Sequence, residues 1–292
     1  MKKTIFTGAA TALITPFKNG KIDYEAFANI IENQIANSID ALVVCGTTGE
    51  GSTLSDAEHR EITSFCIEKV NHRVPVIAGT GSNDTSYAIE LSKFAQEEGA
   101  DGLLLVTPYY NKTSQTGLVH HFNAIADSVN VPCLVYNVPS RTGVNILPDT
   151  YLELSKHQNI VGFKEANGNI SAMAKTMSLV GDELAMYSGD DDQIVPILSL
   201  GGKGVISVLS NVAPKVTHDI CSLFFEGKTK ESLDLHLKHI KLMNALFCDV
   251  NPIPVKAAMA KLGFCDEEMR LPLYPLGKAN RDLLYEAMEV LK

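Results

Sequence analysis

The strongest constraint on the fold of this 292-residue chain is a rhythm: short apolar runs recur down to position 208, each followed by an amphipathic stretch. The runs occupy 9–14, 41–45, 74–78, 102–106, 133–137, 160–164, 184–188 and 204–208. They are mostly apolar without clean alternation, as expected of parallel strands buried on both faces. The stretches at 23–36, 56–70, 85–98, 116–128, 148–156, 170–179, 192–200 and 214–225 read as helices, and Ser55 is suited to cap the second. About eight β-then-α units predict an α/β fold, a (β/α)8 TIM barrel, better than an open doubly wound sheet, whose strand order would differ. Beyond Gly227 the strand runs stop. Segments 228–247, 254–262 and 278–291 read as helices, broken by Asn251-Pro252-Ile253-Pro254 and Leu271-Pro272-Leu273-Tyr274-Pro275. The expected division is a catalytic barrel of residues 1–226 and a C-terminal helical domain of residues 227–292.

Composition narrows the function. With 45% hydrophobic and 20% charged residues the chain has the makings of a sizeable core, not of a disordered polymer. A net charge of −9 disfavours a nucleic-acid backbone as partner, while leaving room for a local cationic site that takes acidic substrates. The six cysteines form no CxxC pair, which suits buried, reduced thiols and a reducing compartment. The basic start, Met1-Lys2-Lys3, is not followed by a continuous apolar segment, and no run approaches the ~20 residues a membrane helix needs. The expected location is the cytoplasm.

In a barrel of this kind chemistry gathers at the C-terminal strand ends. The second strand run ends in Gly46-Thr47-Thr48-Gly49-Glu50, the fourth in Thr107-Pro108-Tyr109-Tyr110-Asn111, and the fifth runs through Tyr136-Asn137-Val138-Pro139-Ser140-Arg141-Thr142-Gly143. The sixth ends in Gly162-Phe163-Lys164-Glu165, the seventh in Ser188-Gly189-Asp190-Asp191. Lys164 closes an apolar strand, so its amine is directed into the barrel mouth. An amine attacks a carbonyl only when neutral, which requires lowering its pKa from about 10.4 towards about 7–8. At about 1.36 kcal/mol per unit this is roughly 4 kcal/mol of bias against the charged form. The plainer alternative is a lysine that reaches solvent or pairs with Glu165.

Tyr136, on the neighbouring strand, could shuttle protons to and from a carbinolamine and a carbanion, or could be a core tyrosine with a satisfied hydroxyl. Thr47 and Thr48, between two glycines, could cradle a carboxylate, or mark an ordinary Gly-rich turn. Arg141 suits bidentate capture of a carboxylate, or a surface ion pair. Tyr109 and Tyr110 could extend the proton relay or simply pack. Gly79-Thr80-Gly81 and Gly201-Gly202-Lys203-Gly204 complete no nucleotide-binding motif. Asp190-Asp191-Asp192 reads as a turn and helix cap, and His236 with His239 lacks further metal ligands, so no metal is expected.

Taken jointly, Gly-Thr-Thr-Gly-Glu at 46–50, Tyr-Asn-Val-Pro-Ser-Arg-Thr-Gly at 136–143 and Gly-Phe-Lys-Glu-Ala at 162–166 resemble the dihydrodipicolinate synthase family of the N-acetylneuraminate lyase superfamily. The likeness runs from Gly8 to Lys256. It implies condensation of pyruvate with L-aspartate 4-semialdehyde through an imine on Lys164, with no cofactor, since the imine is itself the electron sink. It implies a proton relay of Tyr136, Thr47 and Tyr110, the last supplied by a neighbouring subunit. Thr48 would hold the pyruvate carboxylate and Arg141 that of the semialdehyde, with Gly189 and Ile206 lining the site. It suggests a homotetramer built as a dimer of dimers. Family members that bind lysine do so near the positions of Gly51, Ser52, Asp56, His59, Asn83, Tyr87 and Tyr109. Here Asp56 replaces a histidine and Tyr87 a glutamate, so weak or absent lysine inhibition is expected. The competing readings are a sugar-acid aldolase on the same scaffold, against which Arg141 argues, and a ligand-binding barrel without catalysis.

Overall fold

In the computed structural model, which describes residues 2–292, the eight strands close on themselves. They are β1 (Gly8–Ala12), β2 (Ala41–Val44), β3 (Val76–Gly79), β4 (Gly102–Val106), β5 (Cys133–Asn137), β6 (Ile160–Glu165), β7 (Ala185–Ser188) and β8 (Gly204–Ser207). Every pairing is parallel, and β1 bonds to both β2 and β8. That double partnership excludes the open sheet and gives the (β/α)8 barrel. Helices α1 (Tyr24–Ala36), α2 (Asp56–Val70), α3 (Thr85–Glu97), α4 (Gln115–Asp127), α5 (Pro148–Leu154), α6 (Ile170–Val180), α7 (Ile194–Ser199) and α8 (Pro214–Phe225) form the outer layer. Ser55 caps α2 as its sequence predicts, in a reciprocal capping box with Glu58.

Strand side chains alternate between two cores. Leu42, Val44, Leu103, Leu105, Val135, Phe163 and Met186 face the helices. Ala10, Ala41, Val43, Ile77, Leu104, Leu134, Tyr136, Tyr187 and Ile206 fill the barrel. Phe6 closes the lower end, stacked on Tyr187 at 4.3 Å and accepting that phenol's hydrogen bond on its carbonyl at 2.6 Å. The free space is thereby pushed to the opposite, C-terminal end. Between β1 and α1 lies an antiparallel pair, Phe17–Lys18 with Lys21–Ile22, that the sequence analysis did not anticipate. It turns on Asn19 and Gly20, both at positive φ, the usual pair for a two-residue hairpin.

After α8 come α9 (Thr229–Ala245), α10 (Ile253–Lys261) and α11 (Lys278–Ala287). Helix α9 packs on α8 and α11, while α10 packs against α11. The side chains of α10 are almost all buried, because this helix is wedged beside the barrel mouth.

Candidate active site

Lys164 reaches the barrel interior through a local irregularity. The β5–β6 register runs Cys133↔Ile160 and then Leu134↔Gly162, so one extra residue of β6 is taken up at Val161. This brings Tyr136 and Lys164 directly opposite each other. Gly162 is what the crowding permits, since a Cβ there would stand 2.4 Å from the Ala185 carbonyl oxygen. Beyond Lys164, Glu165 faces outward and accepts hydrogen bonds from Tyr151 (2.8 Å) and Asn137 (2.9 Å). Glu165 is therefore bonded behind the barrel wall, and the plain reading of a Lys164–Glu165 pair does not describe this site.

Lys164 is 7% exposed, and its Nζ lies 4.3 Å from the centroid of the Tyr136 ring. Burial lowers its pKa to about 8, with Arg141 adding to the effect and the carboxylates of Asp190 and Asp191 opposing it. Burial likewise pushes the Tyr136 phenol well above its usual range, with Arg141 and Thr47 pulling the other way. Asp190 is raised to about 6 by burial, and the lysine ammonium offsets part of that rise.

The Gly46–Glu50 loop is a compact turn in which Gly49 N–H donates to the Gly46 carbonyl and Glu50 N–H to that of Thr47, both at 3.1 Å. Cys45 and Glu50 at either side of it, and Tyr110 across the mouth, are left-handed although none is glycine, the sort of strain that collects at working sites. Behind the loop, the Glu50 carboxylate accepts from the buried Lys256 ammonium at 2.6 Å and from the Arg270 amide at 3.2 Å. Arg141 sits on a single helical turn, Pro139–Thr142, and its guanidinium donates to the Asn251 carbonyl at 3.0 Å.

A cavity of about 380 Å³ gathers Thr47, Thr48, Tyr136, Arg141 and Lys164 and continues past Ser52, His59 and Tyr87 to Tyr109. Gly189 abuts the lysine, for a Cβ there would be 3.1 Å from Lys164 Cε. Ile206 belongs to the buried layer inside the barrel. Neither Gly189 nor Ile206 lines the cavity itself, and Tyr110, which is 91% exposed, also lies outside the lining of this chain's cavity. The acidic run is a 3-10 turn, Asp191–Gln193, that Asp190 does not cap with its side chain, and Asp191 accepts from the amides of Val208 (3.0 Å) and Leu209 (2.8 Å). His236 and His239 each place a ring nitrogen on a backbone carbonyl. Sequence reasoning gave Asn251 no role in the site, although its side chain donates to Thr48 at 3.1 Å; the Asn-Pro-Ile-Pro run reads as a helix breaker and as part of the far end of the family likeness.

Such a site holds an amine of lowered basicity, a phenol and two groups suited to carboxylates in one enclosed space, the equipment for imine chemistry on an oxo acid. Comparison with known proteins agrees. The 4-hydroxy-tetrahydrodipicolinate synthase of Clostridium perfringens is 53% identical over 285 residues, covering 98% of either chain. A pyruvate-complexed dihydrodipicolinate synthase from Acinetobacter baumannii superposes with a TM-score of 0.96 at 42% identity, over 98% of this chain and 99% of its own. A monomeric dihydrodipicolinate synthase variant does so with a TM-score of 0.96 at 43% identity, over 98% and 97%. Residues 5–291 match the dihydrodipicolinate synthetase family, and the chain belongs to it.

Proposed function

We propose that Lys164 carries the imine in this chain's reaction, the condensation of pyruvate with L-aspartate 4-semialdehyde to 4-hydroxy-tetrahydrodipicolinate on the diaminopimelate route to lysine. The observation that carries the assignment is a buried amine, lowered to about 8, facing a buried phenol in the mouth cavity. Neutral Nζ attacks the pyruvate carbonyl carbon to give a carbinolamine, and loss of water leaves the imine. Removal of a methyl proton yields the enamine, whose carbon attacks the aldehyde, and the alkoxide so formed takes up a proton. The amine of the second substrate then adds to the imine carbon, closes the ring and expels Lys164.

Tyr136 is assigned the proton transfers, relayed through Thr47 of the same chain and through the partner subunit's Tyr110. Thr48 receives the pyruvate carboxylate, Arg141 that of the semialdehyde, and Gly189 and Ile206 shape the space. No organic or metal cofactor enters this scheme. The barrel, residues 1–226, is the catalytic unit, and residues 227–292 form the helical domain. The exposure of Tyr110 favours a working assembly larger than one chain, for which we favour a tetramer made as a dimer of dimers. The six free thiols suit a cytoplasmic enzyme. Tyr87 donates to Asp56 at 3.1 Å, and Asp56 is paired with Arg60 at 2.9 Å. With that carboxylate already engaged, inhibition by sub-millimolar lysine should be weak or absent in a steady-state assay; clear inhibition would refute this.

The assignment is tested by trapping with pyruvate and borohydride, followed by peptide mass spectrometry. The expected adduct is on Lys164, and an unmodified Lys164 would defeat the scheme. Turnover of aspartate semialdehyde but not N-acetylneuraminate is expected. Arg141→Ala should raise KM for the semialdehyde about tenfold or more and leave the pyruvate adduct largely intact. Equal loss of both would remove Arg141 from its role.

A further inference from the structure

Asn251 lies between α9 and α10, outside the barrel strands, yet it touches both groups assigned to the substrate carboxylates. It is 6% exposed. Its side-chain amide donates to Thr48 Oγ1 at 3.1 Å, and its carbonyl accepts from Arg141 at 3.0 Å. A threonine hydroxyl has one proton to give and two lone pairs to fill. When the carboxamide N–H fills a lone pair, the Thr48 proton is left to point elsewhere, and an incoming carboxylate is what it can serve. A carboxylate or a turned carboxamide at position 251 would do the reverse, drawing that proton to itself.

The rest of the seam keeps this contact in place. Lys256 Nζ holds the Glu50 carboxylate at 2.6 Å in a pair that is wholly buried. Arg270 donates to Glu50 through its amide and to the Thr53 carbonyl through its guanidinium. Thr48 is thus presented by a loop clamped from the C-terminal helical segment, with Asn251 at the one point where the clamp meets a ligand-facing hydroxyl.

We propose that Asn251 is a positioning residue that aims the Thr48 hydroxyl proton at the pyruvate carboxylate while seating Arg141 on its carbonyl, so that one residue of the helical segment sets both carboxylate subsites. The inference rests on the assignment of Thr48 and Arg141 given above. Its side chain acts on the pyruvate side alone, because Arg141 is held by the backbone. Asn251→Leu, of nearly the same shape, uncharged and without the donor, should therefore raise the half-saturating pyruvate concentration about fivefold, both in turnover and in borohydride trapping. KM for the semialdehyde should change much less.

The decisive experiment is a cycle with Thr48→Val, measuring half-saturation by pyruvate in the trapping reaction for wild type, both single variants and the double variant. Once the hydroxyl is gone, Asn251→Leu should add little, less than about twofold. Full additivity, or a fall in the maximal trapping rate with pyruvate half-saturation unchanged, would overturn the proposal and leave Asn251 a structural residue. Asn251→Ala carries the same cycle if the leucine variant does not fold. A wild-type enzyme that forms no pyruvate adduct would instead sink the functional assignment. A normal wild-type adduct with an unaltered Asn251→Leu curve would sink only the role of Asn251.

Discussion

Two buried lysines on opposite sides of the Gly46–Glu50 loop have opposite fates. Lys256 is fully buried against an equally buried Glu50, with its Nζ 4.4 Å from the centroid of the Phe17 ring. Lys164 has a phenol ring at 4.3 Å and no salt bridge among the described residues. Burial lowers both pKa values, but at Lys256 a bonded carboxylate opposes it, whereas at Lys164 the opposing carboxylates act only through space. Desolvation without a bonded counter-charge destabilises the ammonium and so releases a nucleophile. Desolvation with one makes a clamp. What the amine can do is decided by the neighbour it lacks.

The largest effect should come from Lys164→Met. It should abolish pyruvate trapping and lower turnover by more than about a thousandfold. It should also stabilise the fold by about 3 kcal/mol at pH 7, because a lysine lowered from 10.5 to about 8 favours the unfolded chain. That native-state cost is complete below pH 8, where both states are protonated. It fades as pH rises towards 10.5, where both are neutral. Chemical denaturation at pH 7 and pH 9.5 reads the difference, and equal stability of the two proteins at pH 7 would erase the contrast with Lys256.

Lys256→Met should act in the opposite direction, destabilising by about 3–5 kcal/mol because Glu50 is left charged and buried. Adding Glu50→Gln should recover most of that loss in equilibrium unfolding. If the double variant is as unstable as the single one, the clamp works by packing and not by charge.

Much of this comparison is legible in the sequence. Strands buried on both faces have to be apolar, so a lysine ending one at residue 164 stands out, and Tyr136 stands out beside it. The Ser55 cap and the Pro148 and Pro214 helix starts are local signals, and the structure keeps them. Asn251 and Lys256 gave no such signal. Their partners, Thr48 and Glu50, lie about two hundred positions away, and two prolines dominate what the intervening sequence says locally. The extra residue in β6 was signalled only by Gly162, and a glycine in a strand has several meanings. Tyr110 is a different case: its exposed ring finds no site within one chain.

The smallest effect tests the through-space part of the contrast. Wild-type kcat/KM for pyruvate should rise with pH as Lys164 loses its proton, along a limb centred near 8, and flatten above it. Asp190 and Asp191 hold that value up, while Arg141 and burial hold it down. Asp190 is ionised on this limb, since its own pKa is about 6. Asp190→Asn should therefore move the limb to lower pH, by up to about one unit, with the plateau above pH 9 little changed. A limb that stays in place would mean that a different group titrates there, and that Lys164 is shielded from its carboxylates as thoroughly as Lys256 is bound to one.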